Sequence, residues 1–118
     1  MSRLIRKRPA AVSIAVVRLP AEIDSSNAEH VRERLCAAFR PEVRIVVADL
    51  TATTFCDVAG VRALARARKH ATAMNAEIRL AVQAGPVRRV LTMVSPGGQF
   101  VMYPSVGAAT AGHAAPLN

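Results

Sequence analysis

Apolar positions along the chain change from one period to another, and the changes mark out the elements. Residues 12–19 alternate, with Ile14 and Val16 on one face, and predict a strand that Pro20 ends. Upstream, Leu4 and Ile5 sit among basic residues. They predict a short edge strand guarded by its charges, with a turn at Pro9 and Ala10. Residues 24–27 read as a helix start, because Ser26 and Glu29 have capping-box spacing and each can satisfy a free backbone N–H. From there Ala28, Val31, Leu35 and Ala38 recur at helical spacing, while Arg32, Glu33 and Arg34 face mostly water. The helix runs to about Phe39, since Pro41 follows.

Residues 43–50 form a near-continuous apolar run, as a parallel strand buried on both faces would. The chain then passes through a polar turn to Asp57, which is placed to cap a helix opening at Val58. A strand feeding a capped helix through a short loop is where α/β proteins usually put their functional edge. The helix runs to about Met74. Val61, Leu64, Ala67, Ala71 and Met74 make its predicted buried stripe, and Arg62, Arg66 and Lys69 a basic one. Residues 76–82 predict another strand. Gly85 and Pro86 break it, and Pro86 suits the first turn of a third helix with Val87, Val90 and Leu91 inward and Arg88 and Arg89 outward. Residues 95–98 predict a loop and 99–102 a final short strand. Ser105 would cap a weak last helix through Ala111, and residues 112–118 a frayed tail.

The predicted order is β-β-α-β-α-β-α-β-α. It implies crossover connections and one α/β domain spanning residues 1–118, with its core at about residues 12–111. No internal repeat or linker splits it. The length suits one core, and aromatics are only 3% of residues, so Val, Ala, Leu and Ile must fill it.

The chain carries 16 Lys and Arg against 8 Asp and Glu, a net charge of +8. That excess bears on partners rather than on fold; nucleic acid, acidic protein or anionic lipid could each answer it. Aromatic platforms for bases are nearly absent and no helix-turn-helix or zinc-finger pattern appears, which weakens a nucleic-acid reading and leaves it as the lesser alternative to protein docking. No segment is long enough to span a membrane. Arg3, Arg6, Lys7 and Arg8 before an apolar run loosely mimic a secretion signal, but the run is short and Arg18 ends it. Cys36 and Cys56 are too few for a disulfide framework, so a reducing cytoplasm is expected.

His30, His70 and His113 are scattered. Neither a metal site nor a triad follows, and no cofactor and no enzymatic activity are expected. Thr51, Thr53 and Thr54 lie in the loop before Asp57 and read as turn residues, although their hydroxyls could accept a phosphate, Thr54 being the candidate among them. Cys56 precedes a helix start, where a thiolate is stabilised, but it also reads as a small buried side chain. Gly60 would let its helix approach a neighbour or a partner closely.

Three segments then resemble one family. Arg18-Leu19-Pro20-Ala21-Glu22-Ile23-Asp24 resembles a strand ending in hydrophobic-x-Gly-Glu-hydrophobic-Asp, with Ala21 in place of the usual Gly. Val46-Val47-Ala48-Asp49-Leu50 followed by Phe55-Cys56-Asp57-Val58-Ala59-Gly60 resembles a strand, an Asp-Leu pair and a Phe-x-Asp-Ser-Ser/Ala-Gly turn. Pro86-Val87-Arg88-Arg89-Val90-Leu91 and Tyr103-Pro104-Ser105 resemble a third helix and a final strand exit. Together they resemble a STAS domain of the bacterial anti-sigma factor antagonist type, over nearly all of the chain.

The resemblance implies a STAS-like mixed sheet of about four to five strands with about four helices. It also implies a cytoplasmic regulator in signal transduction and transcription that docks on an anti-sigma factor of the serine-kinase type and so releases a sigma factor. In the family the kinase phosphorylates the Ser after the signature Asp. That position is Val58 here, which has no oxygen. The docking surface implied is Asp24, Ser25 and Ser26 with Asp57, Val58, Ala59, Gly60 and Arg62, beside Thr54. The alternative is a scaffold assembling with other STAS domains, or a homodimer.

Overall fold

The computed structural model describes residues 13–95 and 99–111. The elements follow in the order β1 (Ser13–Arg18), β2 (Glu22–Ile23), α1 (Ala28–Ala38), β3 (Val43–Asp49), β4 (Phe55–Cys56), α2 (Val58–Ala73), β5 (Glu77–Ala81), α3 (Pro86–Val94), β6 (Met102–Tyr103) and α4 (Val106–Ala111). The expected α/β alternation is present. The predicted strand at Leu4 and Ile5, the turn at Pro9 and Ala10 and the tail at 112–118 lie outside the described residues.

A four-stranded sheet runs β1-β3-β5-β6, and all of its pairs are parallel. Each strand returns to its neighbour through one helix and the order advances in one direction, so crossovers of a single hand place α1, α2 and α3 on one face. Side chains alternate accordingly. Val46, Ala48, Ile78 and Leu80 pack with Val31, Leu35, Leu64, Ala67 and Leu91 in the main core. Val47, Ala81 and Tyr103 point to the other face, where Ala109 of α4 covers them. The central strand is therefore buried on both sides, as its unbroken apolar run predicts.

Four local expectations fail, each for a physical reason. Met74 does not belong to the buried stripe. It stands at the C-cap of α2, 41% exposed, and the chain reverses at Asn75, which takes a left-handed φ of 59°. The last strand is not at 99–102, because only Met102 and Tyr103 are in register with Leu80 and Ala81. The capping box of Ser26 and Glu29 does not form. The N-cap is Asn27, the Ser26 hydroxyl donates to Asp24, and Glu29 turns to Arg32 one helical turn on. Finally, β2 and β4 were not expected. They pair in parallel, Glu22 with Phe55 and Ile23 with Cys56, in a separate two-stranded sheet. Two residues are too few to carry a period.

Arg79 is the one basic residue among the described residues that is buried. It lies on the α4 face of β5, where the cover is a single short helix. Its guanidinium donates to Glu77 at 2.8 Å and to the Ala109 carbonyl at 2.8 Å, and it sits 5.8 Å from the Tyr103 ring centroid. It thereby satisfies a carbonyl of the last turn of α4, whose first turn is capped by Ser105 as predicted, the Ser105 Oγ accepting from Ala108 N at 3.0 Å.

Candidate functional site

The carboxyl ends of β1 and β3 lead into two loops that are tied together. Asp49, buried at the end of β3, accepts through Oδ1 from the Thr51 N–H at 2.9 Å and from the Thr51 hydroxyl at 2.6 Å. The Thr53 hydroxyl donates to the Pro20 carbonyl at 2.9 Å and the Thr54 hydroxyl to the Ala21 carbonyl at 3.2 Å. Backbone bonds add to this: Thr54 N–H to Ala21 O at 2.7 Å and Asp57 N–H to Ile23 O at 3.1 Å. All three threonines thus act as turn residues, which holds the 51–57 loop against the 20–23 segment.

That loop delivers Asp57 to the start of α2 with an extended backbone, and its carboxylate accepts from the Gly60 N–H at 3.1 Å. This is the cap that the sequence predicts. Beneath it Gly60 is buried. A Cβ there would lie 2.6 Å from Cys56 Sγ and 2.9 Å from Ile23 Cγ2. The close approach that Gly60 permits is therefore to the chain's own β2–β4 sheet. Cys56 fills the same contact. Its burial, with the Asp57 charge second, pushes the thiol up to about 11, so no reactive thiolate exists near neutral pH. Both cysteines are free.

On the outside of the same turn two apolar side chains face solvent, Phe55 at 51% exposure and Val58 at 45%. The sequence reading named Val58 but missed Phe55. The alternation Phe55 out, Cys56 in is the signal of a strand, but a strand of two residues is visible only once its partner is known.

The second loop closes on itself. Asp24 Oδ1 accepts from the Ser26 N–H at 2.9 Å and from its hydroxyl at 2.5 Å, and these bonds hold the Asp24 carboxyl below its ordinary range. Asn27 accepts from the Asp24 N–H at 3.0 Å and donates to the Glu22 carbonyl at 2.8 Å. Between this loop and α2 lies a hollow of about 270 Å³. Ser25, Ala59 and Arg62 of the predicted site line it, joined by Glu29 and Arg66. Hydrogen bonding from Arg32 keeps the Glu29 carboxylate ionised to lower pH than usual, with Arg66 only 3.9 Å away. Arg62 and Lys69 are exposed and make no ion pair among the described residues. Thr54 faces away from this hollow. It lines another of about 330 Å³ with Thr51 and the start of α3. Among the described residues no group of three His, Cys, Asp or Glu could hold a metal, and no helix is long and apolar enough to cross a membrane.

Among solved structures, an anti-sigma factor antagonist from Mycobacterium paratuberculosis superposes with a TM-score of 0.71 at 23% identity, over 83% of this chain and 84% of that one. The anti-sigma factor antagonist SpoIIAA in its unphosphorylated form gives 0.60 at 20% identity, over 88% and 91%. The phosphorylated form of SpoIIAA, a Bacillus cell fate determinant, gives 0.61 at 19%, over 88% and 95%. These likenesses establish a common fold. A search of the curated proteins finds no match. The STAS-domain family model matches residues 6–109, which span both loops, the capped helix and every strand described here, and the chain belongs to the STAS-domain family.

Proposed function

We propose that this chain is a non-enzymatic docking module of the anti-sigma factor antagonist kind, acting in the cytoplasm on an anti-sigma factor kinase or a related regulator. The observation that carries this reading is the exposed apolar pair Phe55 and Val58 on either side of the capping Asp57, at the head of a ridge that continues through Arg62 to Lys69. Apolar anchors beside unpaired cations suit a partner with an apolar seat bordered by carboxylates. Ser25 and Ala59 would lie at the rim of such a contact. The family's acceptor hydroxyl is missing at Val58, so a phosphate cannot be placed there to disturb a docked partner. On this reading the antagonist surface stays in its binding form at that position.

Pull-down with candidate anti-sigma kinases tests the reading. The wild-type chain should recover a kinase of this type, and Val58→Asp should weaken the complex by on the order of tenfold or more, because a carboxylate would be desolvated in an apolar contact. Recovery of nucleic acid alone, or binding untouched by the aspartate, would sink it.

A further inference from the structure

We propose that the seam between α2 and α3 is a seat for an acidic amphipathic helix of a partner protein. The proposal rests on the docking reading above for where the contact begins, and it commits the partner to one element.

The seam follows from the order of the helices. α1, α2 and α3 lie side by side on one face of the sheet and run in the same direction. By helical periodicity Ala59 and Ala63 stand on the flank of α2 that lines the hollow with α1, and Ala65 stands on the opposite flank, toward α3. By the same rule Val90 and Val94 stand on the flank of α3 that faces α2, while Arg88 and Thr92 line a separate hollow on its far flank. Ala65, Val90 and Val94 are only partly buried against the main core, so the floor of the seam is apolar and open to water. Phe55 and Val58 stand at its head, since α3 packs against β4 as well as against α2. Met93, 74% exposed, stands on its outer bank.

The charge on the two banks has one sign. α2 and α3 carry Arg62, Arg66, Arg68, Lys69, Arg88 and Arg89 and not one Asp or Glu. α1 mixes the two signs, with Glu29 and Glu33 beside Arg32 and Arg34. Of the α2 and α3 cations only Arg66 has an ion pair among the described residues, and that pair is long and exposed. Asp57, at the head of the seam, turns its carboxylate to the Gly60 N–H. Such a surface repels basic partners and draws acidic ones.

The apolar floor selects among acidic partners. A phosphate backbone has no apolar side to lay on Ala65, Val90 and Val94, and a flat lipid surface does not enter a seam. An amphipathic helix supplies both needs, with apolar residues every third or fourth position for the floor and carboxylates on its margins for the banks. Arg62 and Lys69 meet one margin and Arg89 the other. Met93 adds an adaptable apolar contact. α3 has nine residues, and its helical rise of about 13 Å gives the seat room for roughly two and a half turns.

Synthetic peptides of equal length, titrated into the isotope-labelled chain, test the seat. One is an amphipathic helix with Leu on one face and Glu on its margins. A second has the same composition scrambled, and a third carries Lys in place of Glu. The first should bind roughly tenfold more tightly than the other two and shift the amides of Ala65, Val90, Met93 and Val94. Arg89→Glu with Met93→Glu, both at exposed positions, should weaken it about fivefold or more, whereas Arg34→Glu on the far flank of α1 should leave it within about twofold. Equal binding of the three peptides, shifts confined to other residues, or binding indifferent to the α3 substitutions overturns the proposal. A DNA duplex or phosphatidylglycerol vesicles that shift the same amides at lower concentration overturn it as well. The docking reading fails separately, because Val58→Asp is read on the kinase and the peptides need none. If that substitution weakens the kinase complex while the peptides ignore α3, the docking edge stands and the seam falls.

Discussion

Gly60 shows how one missing carbon sets the position of a helix. The start of α2 rests directly on Cys56 and Ile23, with no room for a Cβ. Replacing Gly60 by Ala gains up to about 1 kcal/mol of helix propensity. It also forces a methyl group into two buried side chains, at a typical cost of roughly 1–3 kcal/mol. The clash should win, because neither neighbour is a flexible chain end, and urea unfolding should show a net loss of about 1 kcal/mol. Adding Cys56→Ala removes the nearer atom and should recover much of it. A second residue-scale effect concerns Asp24. Its pKa is lowered chiefly by the Ser26 hydroxyl, so the stabilisation it gives is present above the unfolded value and is lost as pH falls through the folded one. In Ser26→Ala the Asp24 carboxyl should titrate at higher pH, closer to its ordinary value, by carbon-detected NMR.

At the scale of elements, α4 is the shortest of the described helices. Six residues cannot sustain a helix unaided. Ser105 holds one end and Arg79 the other, the latter reaching Ala109 from the sheet beneath. Arg79→Ala should strand a buried carbonyl, destabilise the protein by roughly 1.5–3 kcal/mol, and raise amide exchange in α4 well above that in α1 and α2.

The elements that were legible in the sequence were those long enough to repeat. The run at 45–50, the stripe Val61, Leu64, Ala67, Ala71 and the Gly85–Pro86 break each state an environment that the structure bears out. Asp57 was legible because a cap is a local motif. What remained hidden depends on partners distant in sequence. The pairing of Ile23 with Cys56, the exposure of Phe55 and the burial of Arg79 each need a neighbour some 30 residues away, which no local pattern names. The capping box failed for the converse reason, since nearer partners took both of its members: Asp24 accepts from the Ser26 N–H and hydroxyl, and Arg32 donates to the Glu29 carboxylate.

At the scale of the whole molecule the net charge of +8 shapes encounter more than affinity. The exposed cations Arg62 and Lys69 lie beside the proposed contact rather than under it. Association with an acidic regulator should therefore slow roughly tenfold between low and physiological ionic strength, while dissociation changes little. Stopped-flow mixing at several salt concentrations reads this directly. A dissociation rate that carried most of the salt effect would place the charges inside the contact.

The bonds that tie the two loops have a consequence for any partner. Backbone and side-chain bonds hold the 20–27 and 51–57 segments to each other and to themselves, so the edge has little conformational freedom left to lose. The ordering entropy of association then falls almost entirely on the other molecule. If the proposed contact forms, the heat capacity of binding should report chiefly the apolar surface that Phe55, Val58 and their seat withdraw from water.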